Sequence, residues 1–234
     1  MALDAADLPA KPGGTAPHVI VDEIDHPVMC AEDVHHLAKV RRLRSGDLVS
    51  ATDGSGSWRW CAFVDAALTV VGDVSVEPAP SHRLTVGFAL VKGSKPELVV
   101  QKLTELGIDT IIPFIAERSV VRWDDAKTER QGERLTKVAR DAAMQSRRVW
   151  LPTVAPVARL SDLISFEGVV RADRDGSALS SANTTVLIGP EGGWSPAEVG
   201  ATPVVGLGHT VLRAETAAIS AATLMVALRD GRVS

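Results

Sequence analysis

Apolar and polar positions along this chain follow two different patterns, and the change falls near residue 80. Before it, the apolar runs are short. His18-Val-Ile-Val21, Leu48-Val-Ser-Ala-Thr52, Ser57-Trp-Arg-Trp-Cys-Ala-Phe-Val64, Leu68-Thr-Val-Val71 and Asp73-Val-Ser-Val76 each read as a strand. Asp53-Gly-Ser-Gly56 joins two of them as a hairpin signal, because its glycines allow the backbone the left-handed conformations that a tight reversal needs. Ala31 to Val40 reads as one short helix with Leu37 and Val40 on the same side. Several short strands with tight turns predict a small β-barrel over residues 17–78. Glu77-Pro-Ala-Pro-Ser81 reads as a linker. Residues 1–16, rich in Ala, Pro, Gly and Asp, read as a disordered leader.

From residue 82 to 234, strands alternate with helices. Leu84 to Val91 is a buried strand, and Ser94-Lys-Pro-Glu97 has the spacing of a capping box. The helix it opens carries Val99, Leu103 and Leu106 and stops at Gly107. Thr110 to Ile115 is the next strand, followed by a helix from about Thr128 to Ser146. Asp162 to Ser165 reads as a short helix, Gly168 to Arg171 as a strand, and the polar run Asp173 to Asn183 as a loop. This alternation predicts an α/β domain with a parallel sheet covered by helices on both faces.

Two glycine-bounded segments stand out in the last third. In the first, Val186-Leu-Ile188 reads as a buried strand, Gly189-Pro-Glu-Gly-Gly193 as a tight loop, and Ser195-Pro-Ala-Glu198 as a capped helix start. In the second, Leu207-Gly-His-Thr-Val-Leu-Arg-Ala-Glu-Thr-Ala217 feeds a helix that runs to Leu228. A strand, a glycine loop and a helix present backbone N–H groups to a bound molecule, and two such segments predict one pocket built from both. A plain glycine-rich connection has the same pattern.

Composition narrows the partners. The net charge of −4 excludes a chain coated in basic charge, so any nucleic-acid contact must come from local clusters. Such clusters exist: Lys39, Arg41, Arg42 and Arg44 beside His35 and His36; Lys92 and Lys95; Arg118 and Arg122; and Arg134, Lys137, Arg140, Arg147 and Arg148 with Gln145. A solvated face is the alternative for each cluster. Cys30 and Cys61 lack metal-ligand spacing and read as buried thiols, and no metal is expected at the histidines. No apolar run approaches the roughly 18 residues of a membrane span, and no signal peptide is evident, so the expected location is the cytoplasm.

Taken in order, the blocks resemble a known family. Leu187-Ile-Gly-Pro-Glu-Gly-Gly193 and Leu207-Gly-x-x-Val-Leu-Arg-Ala-Glu-Thr-Ala217 are similar to motifs of the RsmE family of 16S ribosomal RNA (uracil-N3)-methyltransferases. So are His36-x3-Val40 with Arg42 and Gly46-Asp47, Lys92 with Gln101 to Gly107, Glu117-Arg-Ser119, and Ala142 to Arg148 before Pro152. The resemblance spans about residues 18–230. Around Pro17-His18-Val19 the family's usual Arg near an aromatic residue is missing, and Arg41 stands where Leu is common.

The resemblance implies a PUA-like β-barrel that binds RNA, followed by a SPOUT α/β domain with a deep trefoil knot. It implies S-adenosylmethionine as cofactor, 16S rRNA or the small ribosomal subunit as substrate, and a homodimer with the active site at the subunit boundary. The cofactor would lie among Leu187, Ile188, Gly189, Pro190, Glu191, Gly192, Gly193, Leu207, Gly208, Val211, Leu212 and Arg213. Arg213 would steady the uracil carbonyls or a phosphate. Glu191 is left with three readings: proton acceptor, ribose ligand, or a loop carboxylate satisfied by backbone N–H groups. RNA contacts would fall to His36, Arg42, Arg44, Lys92, Lys95, Arg118, Gln145, Arg147 and Arg148. A knotted methyltransferase with another RNA target and a non-catalytic RNA-binding homologue remain as alternatives. An ordinary nucleotide-binding fold is disfavoured, since neither GxxxxGK[ST] nor GxGxxG after a strand occurs.

Overall fold

The computed structural model of this chain describes residues 8–91, 95–119, 121 and 123–233, with the Asp125 side chain left aside. Its contacts divide it into two units, residues 1–79 with 143–151 and residues 80–142 with 152–234. Lys92, Ser94 and Arg122 lie outside the described residues.

The N-terminal unit contains β1 (His18–Ile20), α1 (Ala31–His35) continued by a π-helical turn (His36–Val40), β2 (Leu48–Thr52), β3 (Ser57–Val64), β4 (Ala67–Val70) and β5 (Ser75–Val76). Strand β1 runs parallel to β2, and β2, β3 and β4 are antiparallel. Strand β5 shares an edge of β3 with β4, pairing at Ser57 and Trp58 while β4 takes Cys61 to Val64. Alternation in β3 sends Cys61 and Phe63 to a core with Val19, Leu37 and Val49. Trp58 and Trp60 point to the other face, where they meet Val149.

That second face is closed by residues distant in sequence. The Gly56 N–H donates to the Val149 carbonyl and the Leu151 N–H to that of Gly54, each at 2.9 Å. Gly56 has φ +99° beside the Trp150 ring, so a side chain there would meet both strain and the indole. The Trp60 indole N–H donates to the Pro9 carbonyl at 2.7 Å, and Leu8 and Ala16 pack on the same cluster.

The C-terminal unit comprises β6 (Thr85–Ala89), α2 (Lys95–Leu106), β7 (Thr110–Ile115), most of α3 (Asp125–Ser146), β8 (Thr153–Val154), β9 (Ala158–Arg159), α4 (Leu160–Leu163), β10 (Val169–Ser177), β11 (Thr185–Ile188), α5 (Pro196–Val199), β12 (Val204–Val205) and α6 (Ala214–Arg229). Among the described residues every strand pair of this sheet is parallel, in the order β12-β10-β11-β6-β7-β8, with β9 also on β7. One face carries Val86, Phe88, Ile111, Val186 and Ile188 against Val99 and Leu103 of α2 and Ala218, Ala222 and Met225 of α6. The other carries Ile112, Phe114 and Leu187 against Leu160, Leu163 and Val199 of the short helices. A parallel sheet covered on both faces is what the strand and helix alternation predicts. Gly107, at φ +103°, ends α2 as its position in the sequence implies. Helix α6 is tied to the start of β7 by a buried pair, Arg229 Nη1 to Asp109 Oδ2 at 2.7 Å. Among the described residues no helix is long and apolar enough to cross a membrane.

Three expectations need correction. Strand β10 runs on to Ser177, where polar composition predicts a loop from Asp173; Ser177 pairs with Val205 and accepts the Gly206 N–H at 2.9 Å. Cys30 is exposed, because it immediately precedes α1 at the surface, whereas Cys61 is buried and its thiol is pushed up to about 11 by burial. The capping box at Ser195 and Glu198 does not form: Ser195 makes no side-chain cap bond, and Glu198 Oε1 accepts the Glu117 N–H instead.

Candidate functional site

A cavity of about 660 Å³ opens at the C-terminal ends of β10 and β11 in the C-terminal unit. Open parallel sheets seat ligands at that end, where loops diverge and N–H groups are unpaired. The floor follows from the strand pattern. Val186 to Ile188 is fully buried, and the chain must turn at Gly189-Pro190 because proline has no ladder donor.

The glycine loop is braced from behind. A Cβ at Gly189 would lie 2.7 Å from the Trp194 ring. Trp194 stacks on Phe114 with centroids 6.2 Å apart and donates its indole N–H to the Ala172 carbonyl at 2.9 Å. A Cβ at Gly192 would meet Arg118 at 3.2 Å, and the Arg118 guanidinium reaches the Gly192 carbonyl at 3.4 Å. Through the Glu198 bond to the Glu117 N–H, the segment after β7 supports the whole loop.

Of the residues expected to surround a cofactor, Ile188, Gly189, Pro190, Glu191, Gly193, Leu207, Gly208, Val211, Leu212 and Arg213 line this cavity. Leu187 and Gly192 do not. Leu187 points to the opposite face of the sheet, as alternation within a strand requires, and Gly192 faces Arg118. Ala172, Asp173, Arg174, Trp194, Thr210, Ala214 and Ala217 complete the wall and were not foreseen. The pairing of β10 with β11 that carries Ala172 and Asp173 to the site is a long-range contact with no local signature. Trp194 did have a signal: an aromatic directly after two glycines, at the exit of the loop.

Charge is distributed unevenly around the rim. Glu191 Oε1 accepts from Lys95 Nζ at 2.7 Å, and Glu215 Oε2 lies 3.5 Å from the same ammonium. The Glu191 hydrogen bond raises the Lys95 pKa above its ordinary value; burial opposes this and Glu215 adds to it. Lys95, expected to contact RNA, is thus engaged with two carboxylates. Arg213 caps α6 with its backbone, accepting the Ala217 N–H at 2.8 Å, and leaves its exposed side chain on the cavity wall.

The other residues expected to contact RNA divide between the units. In the N-terminal unit, His36, Arg42 and Arg44 are exposed on and after the π-helical turn, and Gln145 is exposed near the end of α3. Arg147 and Arg148 are half-buried there. The Arg147 guanidinium donates to the Gly14 carbonyl, and that of Arg41 to the Thr15 carbonyl at 3.1 Å, so two cations converge on one short stretch of backbone. Arg148 offers its carbonyl to His18 Nε2 at 3.2 Å. Arg118 lies in the C-terminal unit, against the glycine loop.

A family model described as an RNA methyltransferase domain matches residues 77–226, and one described as an RNA methyltransferase PUA domain matches residues 30–67. The ribosomal RNA small subunit methyltransferase E of Bacillus subtilis is 32% identical over 225 residues, covering 81% of this chain and 85% of that protein. The protein of the same description from Mycobacterium tuberculosis is 32% identical over 216 residues, covering 82% of each. In fold, the chain is similar to the ribosomal RNA small subunit methyltransferase E of Neisseria gonorrhoeae, solved bound to S-adenosyl methionine. The TM-score is 0.78, at 22% identity over 90% of this chain and 96% of that one.

Proposed function

This chain belongs to the RNA methyltransferase family that includes ribosomal RNA small subunit methyltransferase E, and from that premise we propose that it methylates N3 of a uridine in 16S rRNA with S-adenosylmethionine as donor. The observation that carries this reading is the cavity itself: about 660 Å³, bounded by two glycine loops, with an arginine on its wall. That size suits a nucleoside carrying an amino-acid tail. Gly193 and Gly208 have positive φ, and a Cβ on either would meet nothing within 4 Å, so both leave open backbone for a ligand. Ile188, Leu207, Leu212 and Ala217 offer an apolar wall for a purine ring. The residues present therefore fit the cofactor.

When bound, S-adenosylmethionine supplies an electrophilic methyl on a positively charged sulfur. Ile188, Gly189, Gly193, Leu207, Gly208 and Leu212 would hold it, and its methyl would replace the N3 proton, with the proton passing to water and the sulfur leaving as S-adenosylhomocysteine. The chain's own work is mainly positional: the two loops hold the donor so that nucleophile, methyl and sulfur fall in line. Arg213 donates to the uracil carbonyls, where negative charge gathers as N3 loses its proton. Glu191 has its carboxylate turned to Lys95, which favours a role in loop geometry and cofactor binding over proton transfer.

The finer architecture belongs to the same proposal. The N-terminal sheet closes as a PUA-like barrel that binds RNA through His36, Arg42, Arg44, Gln145, Arg147 and Arg148. The C-terminal unit has the SPOUT topology, with its chain threaded as a deep trefoil knot. Two copies pair so that each active site lies at the subunit boundary, in the cytoplasm, where ribosomal subunits are assembled. Family membership and the clustering of both glycine loops around one cavity support this picture. Mass spectrometry of 16S rRNA from a strain lacking the gene tests the activity: the uridine N3 methyl is expected to disappear and to return on complementation. Its persistence would overturn the assignment.

A further inference from the structure

Strand β10 is interrupted over the cavity. Its register against β12 pairs Arg171 with Val204 and Ala172 with Val205, then shifts so that Ser177 meets Val205 again. Residues 173–176 are looped out of the ladder as a bulge, with Asp175 at φ 57° and Gly176 pressed against the backbone of Val205 and Gly206. On the other side of β10, Ala172 pairs with Ile188 of the parallel strand β11. The bulge therefore starts beside Gly189, and Asp173 and Arg174 both line the cavity.

The Asp173 carboxylate is held from two directions. Arg171 Nη1 donates to Oδ2 at 2.6 Å, and the Arg174 N–H donates to Oδ1 at 2.8 Å. A carboxylate offers about four acceptor positions, so roughly two remain. Its charge is offset by Arg171, so it does not act as a bare anion against the ligand. A fixed acceptor with two vacant positions matches two neighbouring hydroxyl donors. Among the described residues lining the cavity the other carboxylate is Glu191, whose Oε1 is bonded to Lys95.

We propose that Asp173 recognises the 2′,3′-diol of the ribose of the nucleoside bound in this cavity, and that the β10 bulge exists to place it there. The proposal rests on the cofactor reading above and adds a specificity-determining residue to it. Asp173 accepts from both hydroxyls and makes the site selective for ribonucleosides over deoxynucleosides.

Calorimetry on the full-length protein tests this with three ligands: S-adenosylhomocysteine, 5′-methylthioadenosine and the 2′-deoxy form of 5′-methylthioadenosine. Wild type is expected to bind the deoxy ligand about tenfold to a hundredfold more weakly than its ribose counterpart, the range for a hydrogen bond to a charged group. In Asp173→Asn that ratio falls to about twofold, while Asp175→Asn, which removes a carboxylate of the same bulge that does not line the cavity, keeps the wild-type ratio. Wild type indifferent to the 2′-hydroxyl overturns the proposal without any variant. So does a ratio that survives in Asp173→Asn or collapses in Asp175→Asn. A loss in Asp173→Asn confined to S-adenosylhomocysteine also overturns it, by assigning the carboxylate to the ammonium of the amino-acid tail. Absence of wild-type binding to S-adenosylhomocysteine sinks the cofactor reading itself, a result distinct from all of these.

Discussion

Titration of His18 gives the N-terminal unit a pH-dependent stability that can be worked out from its surroundings. The ring is buried, with Nδ1 2.8 Å from Ser50 Oγ and Nε2 3.2 Å from the Arg148 carbonyl. A carbonyl only accepts, so Nε2 carries the proton and Nδ1 accepts from the serine in the neutral form. Protonation would turn Nδ1 into a donor to Ser50, whose hydroxyl can turn to the Pro17 carbonyl at 3.3 Å. The hydrogen bonds thus tolerate the imidazolium, and the penalty comes from burial. Burial lowers the pKa from 6.5 to about 4, the Arg148 carbonyl partly opposing it and the Arg147 charge adding to it.

The sign follows from proton counts. Between these two values the unfolded chain binds the proton and the folded chain does not, so stability is full above the unfolded pKa and declines as pH falls toward the folded one. Between about pH 7.5 and 4.5 this amounts to about 2.5 kcal/mol. With Trp123 and Trp194 replaced by Phe, the remaining tryptophans, Trp58, Trp60 and Trp150, all report on the N-terminal unit. Urea unfolding followed by their fluorescence should show wild type losing about 2.5 kcal/mol more over that interval than His18→Gln, which cannot titrate. A difference below about 0.5 kcal/mol would refute the burial argument and mean that water reaches the ring.

Arg213→Ala is expected to lower methyl-transfer turnover at least about a hundredfold while changing the S-adenosylmethionine dissociation constant by less than about threefold; equal losses in both would make it a cofactor ligand. Gly189→Ala drives a Cβ into the Trp194 ring, so cofactor affinity measured by calorimetry should drop at least about tenfold, and unchanged affinity would show that the loop relaxes freely. Leu187→Ala should cost roughly 2–5 kcal/mol in urea unfolding of the C-terminal unit, because the side chain is 0% exposed and leaves a cavity; a loss under about 1 kcal/mol would mean that the sheet collapses around it. Arg229→Met removes the cation that neutralises Asp109, which is 4% exposed, and should cost roughly 3–5 kcal/mol in the same assay. A neutral result there would show that Asp109 is satisfied by the Leu84 N–H and its other contacts alone.

The residues alone determined much about this protein, wherever the cause is local. Period-two alternation is enough to mark β2 and β3 to their ends, since a strand with both faces buried has to place Trp58 and Trp60 opposite Cys61 and Phe63. Gly107, with its positive φ, marks the end of α2 because few other residues adopt that conformation without strain. The buried run of β11 and the glycines after it mark the end of the strand and the tight turn that follows, which lines the cavity.

Tertiary structure decided whatever depends on partners far away in the chain. Polar composition argues for a loop from Asp173, yet pairing with β12 keeps Ser177 in the sheet and leaves Asp173 and Arg174 on the cavity wall. Glu198 has the spacing of a capping box, but the Glu117 N–H, 81 residues away, takes its carboxylate. Residues 143–151 join the N-terminal unit because Val149 and Trp150 fill the face that Trp58 and Trp60 leave open. Lys95 reads as an RNA contact until Glu191 and Glu215 arrive from elsewhere in the chain to engage it. The physical reason is the same in each case: backbone propensity and periodicity act over a few residues, whereas hydrogen bonds and burial go to whichever partner the fold brings within reach.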